Sequence, residues 1–115
     1  MADLTLTSPI ATRTLTLATT CKVIEVSRET VGGLQGLYLY CTTETLYQIL
    51  ADGQSVASGA AAPTADYDVV PASTKTPIGI TPHTDGLTTQ RPLRIAVWVA
   101  SGTPTLHVAP YPVTR

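Results

Sequence analysis

Leu93-Arg94-Ile95-Ala96-Val97-Trp98-Val99 decides how the rest of the chain is read. Aliphatic side chains take every second position, and Arg, Ala and Trp take the others. Successive side chains on a strand point to opposite faces, so a period of two marks a β-strand with one face in a core. The cadence recurs on either side. Leu106 and Val108 continue it beyond Gly102. Upstream, Leu37, Leu39 and Cys41 alternate with Tyr38 and Tyr40, Leu15 and Leu17 with Thr14 and Thr16, and Leu4 and Leu6 with Thr5 and Thr7. A Thr in such a run keeps its branched Cβ on the pleat and offers a hydroxyl to water. The chain holds 21 Thr, with no Asn and no Phe, so threonine is expected to line the wet faces.

Turn chemistry separates the runs. Gly32-Gly33, Asp52-Gly53, Asp85-Gly86 and Ser101-Gly102 reach positive φ at little cost. The nine Pro residues confine their surroundings to loops, strand starts and edges. Seven to nine short strands at this spacing predict an all-β fold, a compact antiparallel β-sandwich or jelly-roll-like barrel. With 115 residues there is room for a single core, hence one β domain over 1–115. Residues 1–10 read as an extended first strand or as an arm reaching another subunit. Glu44 to Ala51 fits a helix through Leu46, Ile49 and Leu50 and also fits a strand. The following Asp52-Gly53 resembles a hairpin turn more than a helix cap, which favours the strand.

Composition narrows the function. Charged residues make up 13% of the chain and the formal net charge is −1, so the electrostatic footprint of nucleic-acid binding is missing. No apolar run approaches the ~20 residues a membrane helix needs. The N-terminus lacks the basic and apolar regions of a signal peptide. The expectation is therefore synthesis in the cytoplasm of the producing cell, without nucleic-acid or membrane partners.

The candidate chemistry is sparse. Among the eight acids, only Asp66 and Asp68 stand close together, flanking Tyr67. They share a strand face and are the right type to bracket a cation, but calcium loops carry more oxygen ligands. Two solvated acids beside an inward Tyr is the plainer reading. His83 lies in a turn-like Pro82-His83-Thr84-Asp85, and His107 alternates with Leu106 and Val108; neither has metal-ligand spacing. Ser55, Ser58 and Ser73 lack a local base and a G-x-S-x-G setting. Gly32-Gly33-Leu34-Gln35-Gly36 lacks the Lys and helix of a phosphate loop. The chain is read as non-enzymatic, with no catalytic, metal or cofactor residues.

Cys21 and Cys41 leave two readings open. Buried reduced thiols suit a cytoplasmic product. Alternatively, if Glu29–Gly33 closes a five-residue hairpin, Arg28 faces Leu34 and Cys21 falls opposite Cys41. A disulfide there would contribute about 3 kcal/mol in the chain-entropy picture.

Aromatic side chains supply the candidate interface. Trp98 and Arg94 share the strand face opposite the aliphatics, and Tyr38 and Tyr40 share a face of their own strand. Trp, Tyr and Arg recur at interface hot spots and Tyr and Trp at sugar-stacking platforms. The competing reading covers both faces of the 93–99 strand and makes Trp98 ordinary core. The charge-free stretch between Gly53 and Ala65 is expected to lie against something, its own sheet or a neighbour.

Few charges also leave few edge guards. Sheet edges are ordinarily blunted by Lys, inward charges and bulges. Here only Lys22 and Lys75 are lysines, and 95–114 has no Asp, Glu, Lys or Arg. Loops or other chains must cover the edges, and symmetric assembly is the common solution.

Three stretches carry a family resemblance. Tyr47-Gln48-Ile49-Leu50-Ala51-Asp52-Gly53, Pro63 to Ala72 (PTADYDVVPA) and Ile95 to Val108 (IAVWVASGTPTLHV) look like small virion proteins of tailed bacteriophages. The resemblance implies a β-sandwich structural protein of the virion, of the capsid decoration or cement type. Its implied partners are the major capsid protein or other virion proteins, bound as a homo-oligomer. A phage fibre or tail domain, or a carbohydrate-binding sandwich, is the alternative.

Overall fold

The computed structural model describes residues 3–7, 11–26, 34–50, 59–64, 67–79 and 93–112. Nine strands run through them: β1 (Leu4–Leu6), β2 (Arg13–Thr16), β3 (Lys22–Val26), β4 (Leu34–Tyr40), β5 (Thr45–Leu50), β6 (Asp68–Val70), β7 (Thr76–Gly79), β8 (Leu93–Val99) and β9 (Thr105–Pro112). Within the ambiguous Glu44–Ala51 stretch, Thr45–Leu50 is strand, because β6 and β8 both pair with it.

The strands form two sheets. One has five strands in the order β1-β3-β8-β5-β6, the other four in the order β2-β9-β4-β7. Every pairing is antiparallel except β1 on β3. From β2 onward the pairing is nested: β2 with β9, β3 with β8, β4 with β7 and β5 with β6. A hairpin folded upon itself in this way, then split into two facing layers, is the jelly roll, the winding that the strand count and turn spacing had allowed.

The core lies between the layers. Ile24, Val26, Ile95, Val97 and Val99 from the five-stranded sheet meet Leu37, Leu39, Leu106 and Val108 from the four-stranded sheet, all essentially without solvent contact. At one end Leu17 plugs the gap. Its N–H donates to the Pro104 carbonyl, and the Val99 N–H donates to the Ala18 carbonyl, so the β2–β3 and β8–β9 corners run side by side. The corners at this end, between β2 and β3, β4 and β5, β6 and β7, and β8 and β9, use four or five residues each. The connections at the other end are longer, with 7 residues after β3, 17 after β5 and 13 after β7.

Residues 4–6 form the first strand rather than a free arm. Leu4 and Leu6 enter the main core, and Asp3 fixes the start of the strand. Its N–H donates to the Val23 carbonyl while the Val23 N–H donates to Asp3 Oδ2, each at 2.8 Å.

The β3–β4 hairpin on which the disulfide reading depended does not occur. β3 pairs with β1 and β8, whereas β4 pairs with β7 and β9 in the other layer. The proposed turn residues Glu29–Gly33 lie outside the described residues. Cys21 and Cys41 are consequently both free. Cys41 faces the core between the sheets, while Cys21 belongs to a second cluster with Leu50, Ala96 and Trp98 on the opposite side of the five-stranded sheet. A whole sheet separates the two thiols.

Candidate functional site

The four aromatic and basic residues singled out from sequence divide between the two outer faces of the sandwich. Trp98 and Arg94 share the outer face of the five-stranded sheet, as their parity requires. Trp98 is 3% exposed, so the covered reading holds. Beneath and beside it lie Ala96, Leu50 and Cys21, with Leu46 and Ala62 packed against them. Tyr67 meets the indole edge-on, at 5.7 Å between ring centroids and 76° between planes.

The cover is the chain itself. Gly59 donates its N–H to the Cys21 carbonyl, and the Cys21 N–H donates to the Ala60 carbonyl. The Cys21 thiol points at the Ala61 carbonyl, 3.8 Å away. From there the segment passes over the Trp98 cluster at Ala62 and returns through Tyr67 into β6. The described part of the charge-free loop thus lies on its own sheet. Arg94 stays at the surface, where its Nε donates to Glu25 Oε1 at 3.0 Å. The two are direct cross-strand neighbours.

Tyr38 and Tyr40 occupy the outer face of the other sheet, opposite Leu37 and Leu39 in the core. The register makes rows across this face: Thr14, His107 and Tyr40 in one, Ala109, Tyr38 and Pro77 in the next, and Thr16 beside Thr105. Both tyrosines are half-buried. The Tyr40 ring leans on His107 with centroids 6.1 Å apart. The Lys75 ammonium sits 4.5 Å over the Tyr38 ring, near enough for a cation–π attraction of about 0.5–1 kcal/mol at an exposed site. No carboxylate belongs to these rows. His107 and Lys75 were legible in the sequence only as residues, because their tyrosine partners depend on β9 and β7 both flanking β4.

Two pKa directions follow from burial. The Cys21 thiol is pushed above its ordinary value by loss of hydration. The Tyr47 phenol is also raised, chiefly by burial and then by the nearby Asp68 carboxylate. Both effects disfavour the charged form.

No group of His, Cys, Asp and Glu among the described residues is placed to hold a metal ion. His83 and Asp66 lie outside the described residues, while Asp68 is exposed on β6. No helix among the described residues is long and apolar enough to cross a membrane. Compared with known protein families, curated proteins and solved structures, the chain gives no match.

Proposed function

We propose that this chain is a non-enzymatic structural protein of a bacteriophage virion, a decoration or cement protein that bridges capsid subunits as a homo-oligomer. The observation that carries the reading is the composition of the outer face of the four-stranded sheet, where Tyr38 and Tyr40 stand half-buried in rows with Thr14, His107, Ala109 and Pro77. A sheet face kept in water is ordinarily coated with Lys and Glu; this one presents Tyr, His and Thr, no described carboxylate, and one Lys drawn over a ring. Depletion of charge with enrichment of tyrosine is the composition of an interface centre. The virion resemblance in the sequence supplies the kind of neighbour. In this reading the face seats on the major capsid protein or another virion protein, and the second outer face is left closed by its own strap.

Co-sedimentation with capsid shells of the producing phage tests it. The wild-type chain is expected to pellet with the shells. Tyr40→Ala, which removes one ring from the centre of the face, is expected to weaken binding about ten-fold or more, as loss of a hot-spot side chain does. Arg94→Ala, on the other side, leaves binding intact. A chain that stays monomeric and never pellets with shells overturns the proposal.

The tyrosine pair also favours a second reading, a fibre, tail or other carbohydrate-binding module. Only Tyr40 has a stacking role to play there, since Lys75 lies over Tyr38 and Trp98 is covered. Glycan binding abolished by Tyr40→Ala, with no association with shells, would select this alternative.

A further inference from the structure

Lys75 is one of two lysines in the chain, and the β6–β7 corner that carries it is pinned on both sides of it. The Thr74 N–H donates to the Pro71 carbonyl and the Ser73 N–H to the Cys41 carbonyl. The Thr74 and Thr76 hydroxyls donate to the carbonyls of Ala72 and Thr74. Ser73 takes a left-handed φ within this corner, a conformation that a residue other than glycine keeps only where its surroundings over-determine it. Lys75 thus starts from a fixed point, and its ammonium lies 4.5 Å over the Tyr38 ring. One step past the last paired residues, Leu39 and Thr76, the register sets Lys75 beside Tyr40. The row of Thr14, His107 and Tyr40 therefore ends in Lys75. Thr14, His107 and Lys75 are exposed, and the two tyrosines are half-buried.

We infer that Lys75, Tyr38, Tyr40 and His107 form a seat for a carboxylate side chain, and that the segment docking on this face is acidic. The inference rests on the reading that this face docks, and it names the chemistry of what the face takes. Charge complementarity selects the occupant. Lys75 brings one full positive charge, and among the described residues no carboxylate forms an ion pair with it. Its ammonium has three donors and no acceptor, so a ring on one side leaves donors for a second partner. The Tyr40 hydroxyl, the His107 imidazole and the Thr14 hydroxyl add donors along the same row. An ionised carboxylate only accepts, which matches such a row, whereas a partner's Lys or Arg would meet like charge. The π-face of Tyr38, which would repel an anion, is the face that the ammonium covers. Because the corner already holds Lys75 in place, less side-chain freedom is lost when the partner arrives.

Titration of isotope-labelled protein with a blocked Glu-Glu-Glu tripeptide, followed by NMR, reads the seat by itself; blocked Gln-Gln-Gln is the control. The Glu peptide is expected to shift the resonances of Lys75, Tyr38, Tyr40 and His107, and the Gln peptide to leave them in place. Lys75→Gln, at an exposed position, is expected to weaken the Glu peptide about ten-fold, as loss of a charge-assisted hydrogen bond does. Lys75→Arg is expected to restore most of that loss. Equal shifts by the two peptides, or by inorganic phosphate at matched ionic strength, overturn the inference. Docking is read separately, by co-sedimentation with shells in about 0.05 M and about 0.5 M salt. Pelleting that is weakened both by Lys75→Gln and by salt supports the acidic partner. Pelleting indifferent to both overturns the acidic partner and leaves the docking reading standing. No pelleting at either salt overturns the docking reading, and the Glu-peptide titration still decides the seat.

Discussion

Ser73 shows how much local physics a single residue concentrates. It has φ of 56°, inside the left-handed region that favours glycine, and it sits at the third position of a turn closed by the Thr74 N–H on the Pro71 carbonyl. Such turns ordinarily place Gly there. The strain is held by the Ser73 N–H, which donates to the Cys41 carbonyl at 2.7 Å and ties the β6–β7 corner to the end of β4. Ser73→Gly relieves the strain and keeps that bond, so a gain of about 0.5–1 kcal/mol is expected in urea melts. In the core, Ile95 has no solvent contact and touches both layers; Ile95→Ala is expected to cost about 2–5 kcal/mol by the same measurement. The buried Cys21 and the half-buried Tyr47 set a pH dependence. Cys21 and Tyr47 are raised in the fold, so their neutral forms stabilise it fully at neutral pH. That contribution is lost as pH rises past their ordinary values of 9.0 and 10.0 toward the raised ones. Urea midpoints should fall from pH 8 to pH 10.5, less steeply in Cys21→Ala.

At the level of elements, β1 is the piece most dependent on one side chain. Asp3 replaces a missing ladder partner with its carboxylate, and Asp3→Ala removes an acceptor from the Val23 N–H. A loss of about 1–2 kcal/mol is expected, with amide exchange quickening first in residues 4–6. The Glu25–Arg94 pair, by contrast, is exposed at 30% and 45% and its removal is expected to move stability by less than about 1 kcal/mol. The strands themselves were legible in the sequence because periodicity is local: Ile95, Val97 and Val99 went inward as their spacing demanded, and Thr45–Leu50 is a strand as read, although the Asp52-Gly53 turn that favoured it lies outside the described residues. Pairing was not legible in the same way. The hairpin that would have joined Cys21 to Cys41 failed because the chain crosses to the other layer after Val26, and nothing in residues 21–41 encodes which layer the next strand joins. Trp98 shares that lesson. Its face was fixed by parity, but whether the face was wet depended on small residues some thirty-five positions away.

At the scale of the whole molecule, the two outer faces differ in what covers them. One is closed by a strap of small residues, the other shows tyrosines with His107 and Lys75 in attendance. The low charge content thus has a location among the described residues: tyrosine rows on one outer face and a strap of small residues on the other. The jelly roll alone does not choose among the many functions it serves, which is why the proposed role leans on the chemistry of that face.

The nested pairing has a consequence for how the protein is made. β8 is the middle strand of one sheet, and β9 lies inside the other. Both belong to a single hairpin that leaves the ribosome after β1 to β7. Until it emerges, β3 has no bridge to β5 and β2 has none to β4, so neither sheet can close. A nascent chain ending before Leu93 is expected to give the circular dichroism of an unfolded polypeptide and to aggregate through its unpaired strands. Folding therefore waits for β8 and β9, with the seven residues from Leu93 to Val99 and their partner strand arriving as the keystone of both layers at once.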